Sequence, residues 1–280
     1  MLNFSIRKPT NKEIIDCINV LYSSFRRPSP EDIKEEERIW KALIKSKIGE
    51  FLISEDNRKI FGIGGVFLFG KVSSFGYMAV LPEYRGKGVG TEIFRNLLKI
   101  ANIRNCKSMI LYASELGRPI YEKFGFRSRF YGTMYQLPMR ISEIGFQRKN
   151  VKVIENLPRW LLNLDENAMG FNRERYLNLK VELGAKILVV ENEGYGLVAN
   201  KRLGPLIAIN QNSALRIIKT SIDLGANHLI IANHKNFPKR IIKSMNLIKK
   251  EDASSIKMVY GRELSENLDL LYCIGTYAKG

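Results

Sequence analysis

Residues 75–98 read FGYMAVLPEYRGKGVGTEIFRNLL, a strand that runs into a glycine-rich loop and then a helix. Residues 77–80 are apolar and favour β structure, and Pro82 removes an N–H that strand pairing needs. Ile93, Leu97 and Ile100 then recur at helical spacing. The glycines that lie where this helix begins are Gly86, Gly88 and Gly90. Glycines there let backbone N–H groups converge at the positive end of a helix, so the stretch predicts a phosphate site.

The spacing of the glycines separates this loop from two other phosphate-binding loops. The dinucleotide fingerprint G-x-G-x-x-G and the P-loop G-x-x-x-x-G-K-[ST] rely on the same physics, and neither spacing is present. The chain has Arg85-x-x-Gly88-x-Gly90, preceded by Val80-x-Pro82. This pattern resembles the acyl-CoA-binding signature of the GNAT superfamily of N-acetyltransferases, in which such a loop wraps the pyrophosphate of coenzyme A. A purely structural glycine turn is the alternative.

The resemblance implies acetyl-CoA as cosubstrate and no metal. It also implies a set of cofactor-binding residues, which are Met78, Val80, Arg85, Gly86, Lys87, Gly88, Val89, Gly90 and Thr91. In the family, backbone N–H groups near residues 78–80 hold the acyl and pantetheine groups.

A second stretch, residues 111–126, resembles the downstream GNAT motif of a strand, a short helix carrying a tyrosine, and Gly-Phe. The resemblance makes Tyr121 the general acid that protonates the departing CoA thiolate. A phenol with a reference pKa near 10 keeps its proton at neutral pH and can hydrogen-bond a thiolate whose pKa is about 8.5. The alternative is a tyrosine that only packs its helix on the sheet.

Composition fits a globular chain of one large or two ordinary domains, with 280 residues, 45% of them hydrophobic. The chain lacks a long apolar run and a signal-peptide pattern, so we expect a cytoplasmic protein with no membrane contact. Three cysteines, Cys17, Cys106 and Cys273, have no metal-ligand spacing and are expected to be reduced thiols. The net charge of +17 allows a nucleic-acid partner but does not favour one, because basic residues scatter evenly through both halves among glutamates.

The order of predicted elements in residues 3–140 is β-α-α-β-β-β-α-β-α-β, which is the order of the GNAT fold. That fold is an α+β architecture with a mixed, twisted sheet that splays after its fourth strand. Periodicity lapses near residues 141–149, and the same order of elements then repeats. We therefore predict two tandem GNAT-like domains, 1–145 with the CoA site and 146–280 without it.

The two copies differ at the positions that carry chemistry. The second half passes from residues 208–209 through Asn210 and Ser213 directly into its helix, with no glycine loop, and Ile242 stands at the position of Tyr121. We expect one active site per chain, as in prokaryotic tandem-GNAT proteins with a degenerate second domain, which the segment from Asp165 to Arg173 also resembles. That domain either packs on the first or walls the acceptor cleft. Asp165 and Arg173 are expected to form a structural ion pair, and His228 and His234 to be structural histidines.

The predicted activity is acetyl transfer from acetyl-CoA to a primary amine, which could be a small molecule, a peptide N-terminus or a protein lysine. The general base is not identifiable, since Glu83 and Glu115 lie near the site in sequence but are expected at the surface. The alternative is a non-catalytic module that senses CoA or binds nucleic acid. The sequence leaves the acceptor and the oligomeric state open.

Overall fold

The computed structural model describes residues 3–23, 29–138, 150–233 and 239–277. The helices are α1 Ile14–Ser23, α2 Pro30–Lys45, α3 Val89–Ile103, α4 Arg118–Glu122, α5 Arg159–Met169, α6 Glu174–Glu182, α7 Gln211–Asp223 and α8 Lys239–Ser244. The strands are β1 Ser5–Arg7, β2 Gly49–Asp56, β3 Lys59–Phe69, β4 Val72–Val80, β5 Ser108–Ala113, β6 Arg127–Gln136, β7 Lys152–Ile154, β8 Lys186–Val190, β9 Gly194–Ala199, β10 Arg202–Ala208, β11 His228–Asn233, β12 Ile248–Gly261 and β13 Leu271–Ile274. The element order of the first half is the predicted one, and the mixed α/β fold class is confirmed.

The described strands form a single mixed sheet of 13 strands that runs through both halves, in the order β1-β2-β3-β4-β5-β12-β6-β11-β13-β10-β9-β8-β7. β12 from the second half lies between β5 and β6 of the first half, antiparallel to both. β6 in turn lies between β12 and β11. Strands of the two halves therefore interleave in the middle of the sheet, where the sequence repeat predicts two copies of one fold side by side.

Local sequence signals explain where α2 begins and which face of α3 is buried. The hydroxyl of Ser29 accepts a hydrogen bond from the Asp32 N–H (3.2 Å), and the Asp32 carboxylate accepts one from the Ser29 N–H (3.1 Å), a capping box that starts α2. Pro30 occupies the first helical turn, where its missing N–H costs nothing. In α3 the buried side chains include Ile93 and Leu97, so the predicted apolar stripe is confirmed.

Two aromatic clusters pack on opposite faces of the first half of the sheet. Under α1 and α2, Trp40 stacks on Phe51 with ring centroids 3.9 Å apart. Under α3, Phe75 meets Phe94 edge-on at 5.1 Å. Successive residues of a strand point to opposite faces, so β4 and β5 each contribute side chains to both clusters.

The second half contains the buried ion pair that the sequence predicts. The guanidinium of Arg173 donates two hydrogen bonds of 2.8 Å to the carboxylate of Asp165, and both side chains are almost wholly buried. The hydroxyl of Tyr195 also donates to Asp165. This bidentate geometry, with a third donor, compensates charges that would otherwise be costly to bury.

The three cysteines are free and buried, as predicted. Burial raises the pKa of the Cys17 thiol to about 12 and the pKa of Cys273 still further, so both are protonated at neutral pH. No helix in the described parts of the chain is long and apolar enough to cross a bilayer.

Candidate active site

The candidate site lies where β4 separates from β5. The two strands pair in parallel from Val72 with Ser108 to Phe75 with Leu111, and their pairing then stops. Beyond Phe75, no described strand pairs with the β5-facing edge of β4. The splay predicted after the fourth strand is therefore present, and it leaves backbone groups of residues 76–80 facing an open wedge.

A bulge at Tyr77 re-aims the end of β4. Tyr77 has φ +56°, and the register between β3 and β4 shifts between the pairs Gly65–Gly76 and Ile63–Ala79. A bulge of this kind bends a strand and increases its twist. The Tyr77 side chain is buried edge-on against Trp40 at 5.3 Å, and its hydroxyl donates to a carboxylate oxygen of Glu36 on α2. These contacts hold a backbone conformation that a non-glycine residue rarely adopts.

The glycine loop joins β4 to α3 with the geometry of an anion site. Gly86 has φ +72° and Gly88 has φ +81°, and a Cβ built on either would meet no atom of the protein within 4 Å. The positive φ angles therefore favour glycine at both positions, and the space beside each glycine is open. The N–H of Glu92 donates to the Gly88 carbonyl (3.0 Å), so the N–H groups of residues 89–91 have no acceptor within the helix.

Two cationic side chains, Arg85 and Lys87, flank the glycines of this loop. The Nε of Arg85 donates to the Val80 carbonyl (3.0 Å), which ties this exposed side chain to the end of β4. The ammonium of Lys87 lies 5.5 Å from the centre of the Tyr84 ring, and Tyr84 stacks on Phe61 at 4.1 Å. The fold thus gathers positive charge at the N-terminus of α3, as the sequence predicts.

The remaining predicted cofactor-binding residues surround the wedge. Met78 and Val80 are half-buried on the α3 face of β4, and Thr91 is half-buried in the first turn of α3. A Cβ on Gly90 would lie 3.7 Å from Val80 and 3.5 Å from Ile120. β4, the glycine loop and α4 therefore meet at this one point.

Tyr121 follows Ile120 on α4 and packs in the same place. Its ring is 7% exposed and meets Phe94 edge-on at 4.8 Å. Burial raises the pKa of the phenol above its usual value, with no contribution from a hydrogen bond. Tyr121 is therefore a protonated donor at neutral pH, and it lies next to the residues predicted to hold coenzyme A.

The carboxylates considered as bases in the sequence lie at the surface, as expected. Glu83 is largely exposed and lies 3.8 Å from the Lys59 ammonium. Glu115 is largely exposed and accepts a hydrogen bond from the Tyr131 hydroxyl (2.9 Å). No cluster of potential metal ligands occurs among the residues that the structure describes.

In the second half, the corresponding wedge is filled by the chain itself. β10 and β11 pair in parallel only at Arg202 with His228 and Leu203 with Leu229. β13 then inserts between them, with Cys273 opposite both Leu206 of β10 and Ile231 of β11. A pantetheine arm has no room at this position.

The helix that follows β10 is also closed to a phosphate. The side chain of Asn210 accepts from the Ser213 N–H (2.9 Å), which caps α7. Glu193 accepts from the Ser213 hydroxyl, and this hydrogen bond is the main reason why its pKa is lowered. A side-chain carboxylate thus lies at the N-terminus of α7, whereas the N-terminus of α3 has no side-chain cap.

The sequence did not single out Glu36 or Arg202. Glu36 belongs to the run of charges at residues 31–38, which reads as a solvated face, and Arg202 looks like an ordinary strand residue. Glu36 is half-buried, desolvation lowers the pKa of Arg202, and the two residues line a common cavity. No local signal could have linked them, because only the fold brings α2 to β10.

The chain matches two family models that are both described as an acetyltransferase (GNAT) domain, one over residues 47–128 and the other over residues 161–273. It is 28% identical over 170 residues to YitH, an uncharacterised N-acetyltransferase of Bacillus subtilis, and 41% identical over 51 residues to the glucosamine 6-phosphate N-acetyltransferase of Trypanosoma brucei brucei. These matches cover 55% and 18% of this chain, and 57% and 35% of the two curated relatives. The chain therefore matches less than two thirds of the length of either relative.

Solved structures match over a longer range. A Pyrococcus horikoshii protein assigned as an acetyltransferase is 30% identical and superposes with a TM-score of 0.90, covering 100% of this chain and 97% of that one. A GCN5-related N-acetyltransferase from Sphaerobacter thermophilus has a TM-score of 0.65 at 14% identity, covers 94% of this chain and 98% of that one, and shares the fold. The chain belongs to the GNAT acetyltransferase superfamily and carries two GNAT domains in tandem.

Proposed function

We propose that the protein transfers an acetyl group from acetyl-CoA to a primary amine, with one active site per chain, in the first half. The observation that carries this proposal is the contrast between the two wedges. In the first half the strand edge and the helix N-terminus are both open, and in the second half β13 and the Asn210–Glu193 cap close both. A chain that keeps one complete site beside a closed copy of it fits an enzyme better than a module that only binds nucleic acid.

Acetyl-CoA supplies the acetyl group as a thioester. The N–H groups at the start of α3 and the glycine loop would bind its pyrophosphate, with Arg85 and Lys87 adding positive charge. The open edge of β4 near Met78 and Val80 would hold the acyl and pantetheine groups. The acceptor nitrogen forms the new C–N bond as the C–S bond breaks, and it loses its proton to water. Tyr121 donates its hydroxyl proton to the leaving sulfur and recovers a proton from solvent, so the products are the amide and the free thiol.

We further propose that residues 1–145 and 146–280 are the two domains, and that the second completes the first. The strand exchange supports a structural role for the second half, since β12 fills the gap between β5 and β6. Contacts from α2 to that half support a role in the acceptor site as well. For example, Arg38 donates to the Leu183 carbonyl at 2.8 Å.

A screen of primary amines with acetyl-CoA, read by release of free thiol, tests the activity. We expect thiol release that depends on the amine and an N-acetylated product detected by mass spectrometry. Acetyl-CoA binding without turnover of any small amine, peptide or protein lysine would support the non-catalytic alternative instead.

A further inference from the structure

A cavity of about 140 Å³ lies between α2 and the second half, on the face of the sheet opposite α3. Its lining includes Glu36 of α2, Tyr176 of α6, Arg202 of β10 and the segment Gly275–Thr276. The volume is small beside the several hundred Å³ of pockets that hold drug-sized ligands. It suits a small molecule better than a protein segment.

One end of the cavity is cationic. The guanidinium of Arg202 donates from Nε to the Nε2 of His228 (3.0 Å) and from Nη1 to the Gly275 carbonyl (3.4 Å). Within the described part of the chain, no carboxylate lies in ion-pair distance of Arg202. Burial lowers its pKa, because desolvation of the guanidinium outweighs the opposing effects of nearby groups such as Tyr277 and Glu36. A buried cation of this kind is costly unless something pairs with it.

The other end is anionic. The carboxylate of Glu36 accepts from the Tyr77 hydroxyl and lies close enough to Arg202 to act on its pKa, without forming an ion pair with it. Tyr77 is the residue that forms the bulge where β4 leaves β5. Glu36 therefore joins the cavity to the strand end proposed to hold the acetyl group.

On β5, the buried hydroxyl of Tyr112 has no hydrogen-bond partner among the described residues. Tyr112 is 8% exposed. Its ring lies 6.1 Å from the ring of Tyr277, which also acts on the pKa of Arg202. Tyr77 on β4 and Tyr112 on β5 belong to the two strands that separate, and both side chains face the α2 side of the sheet, away from the glycine loop. An acceptor in the cavity would thus approach from the face opposite to coenzyme A.

We propose that the acceptor is a small zwitterion, a free amino acid, whose carboxylate pairs with Arg202 and whose amine lies against Glu36 and Tyr77. The assignment rests on the proposed acetyl transfer. A neutral amine would leave Arg202 without an anion, and a diamine would bring a second cation to it. Lys180 also lines the cavity, so a phosphate, which commonly takes several cationic donors, is the competing anion, and the phosphorylated amine in the test distinguishes it from a carboxylate.

The test compares free amino acids with their amides, which keep the amine and side chain but lose the negative charge. The full-length protein is assayed with acetyl-CoA by thiol release, and glucosamine 6-phosphate is included beside glucosamine. We expect kcat/KM for the best amino acid to exceed that for its amide by about 10- to 100-fold, the range for a hydrogen bond to a charged group. In Arg202→Gln this preference should disappear, and in Arg202→Lys it should be partly retained.

Two further variants separate the roles. Glu36→Gln should lower kcat/KM for acids and amides alike, because both carry the amine. Lys186→Gln, which removes an exposed cation of β8 in the same half, should leave the preference unchanged. Melting temperature and acetyl-CoA affinity, measured on each variant, verify that the fold and the cofactor site remain intact.

Amides acetylated as well as amino acids by the wild-type protein would overturn this assignment and leave acetyl transfer standing. A preference for the phosphorylated amine, or an equal loss for acid and amide in Arg202→Gln, would also overturn it. Failure to acetylate any amine while acetyl-CoA still binds would overturn the proposed activity itself, and the acceptor assignment with it.

Discussion

Tyr121 lies on α4 next to Ile120, which packs beside Gly90, and we propose that its hydroxyl protonates the leaving thiolate. Its ring packs against Phe94 and the neighbouring Phe126, so the aromatic cluster fixes the orientation of the phenol. Burial raises its pKa, and the group therefore remains a proton donor throughout the neutral range. The residue combines a fixed position with a retained proton, which are the two requirements of a general acid.

Tyr121→Phe should lower kcat by about 10²- to 10⁴-fold, the usual contribution of a general acid. The ring packing is kept, so the melting temperature and the acetyl-CoA affinity should change little. Steady-state kinetics on the best amine, with calorimetry for binding, check this. Tyr260→Phe is the matched control, since Tyr260 stacks on Phe126 in the same cluster and its hydroxyl has no assigned role. An unchanged kcat in Tyr121→Phe would leave thiolate protonation to water.

Asp165 and Arg173 provide a residue-scale prediction about stability. Asp165→Asn should lower the free energy of unfolding by about 3–5 kcal/mol, because it leaves the buried guanidinium of Arg173 without a counter-charge. Denaturant titration of the variant measures the loss. The double variant Asp165→Leu with Arg173→Met should recover most of the stability, since no uncompensated charge is buried. If the single and double variants lose the same amount, the pair contributes by packing and not by charge.

The sequence can indicate candidate site residues when they belong to a contiguous motif. Tyr121 and the glycine loop are proposed as site residues because each belongs to a motif that is contiguous in sequence. Glu36 and Arg202 share a cavity only after α2 packs on the second half, and the spacing of charges around Glu36 favoured a solvated helix face. Residues joined by tertiary packing alone leave no pattern in a single sequence.

At the scale of elements, two helices that follow equivalent strands differ at their N-termini, since one is open and the other is capped. α3 begins after Gly88, with open space beside the loop, and α7 begins after Asn210, whose side chain caps the helix. Glu193 adds a carboxylate to the α7 end. The positive end of the α3 dipole has no side-chain cap, as the proposed phosphate site requires, while that of α7 is already satisfied by the protein.

Acetyl-CoA should therefore bind with a stoichiometry of about one per chain. Isothermal titration calorimetry of the full-length protein measures it, and Gly88→Val should weaken binding at least tenfold, because the side chain is strained at φ +81° and enters the open loop. Asn210→Ala, which uncaps the other helix, should leave the stoichiometry and affinity unchanged. Two equivalent sites per chain, or loss of binding in Asn210→Ala, would contradict the assignment of the site to α3.

Element order and type were predictable because helix caps, glycine turns and apolar periodicity are local signals. The strand β13 (Leu271–Ile274) lies outside the predicted order of elements, and the position of β12 in the sheet was not predictable either. A strand pattern specifies which residues face the core but not which strand becomes the neighbour, and both strands pair with partners far away in sequence. The Tyr77 bulge escaped prediction for a related reason, since contacts from α2, not a glycine, hold its positive φ.

At the scale of the whole molecule, the two halves share one sheet by exchange of strands. Ile256 of β12 lies opposite Ala113 of β5, and the pairing continues to Gly261 opposite Ser108. On its two edges β6 pairs with β12 and with β11, both from the second half. The first half thus depends on the second for the strand that covers β5 and for both neighbours of β6.

The chain cut between residues 145 and 146 should show this dependence. Fragment 1–145 expressed alone would expose the edge of β5 and both edges of β6, so we expect aggregation and no cooperative unfolding transition. Co-expressed with fragment 146–280, it should copurify as a complex, because β12 and β11 can pair across the break as they do in the intact chain. The complex should bind acetyl-CoA with an affinity close to that of the uncut protein. Size-exclusion chromatography, thermal unfolding and calorimetry measure these outcomes. If fragment 1–145 alone were soluble, folded and able to bind acetyl-CoA, β6 would have to pair directly with β5, and strand exchange would be dispensable for the first domain.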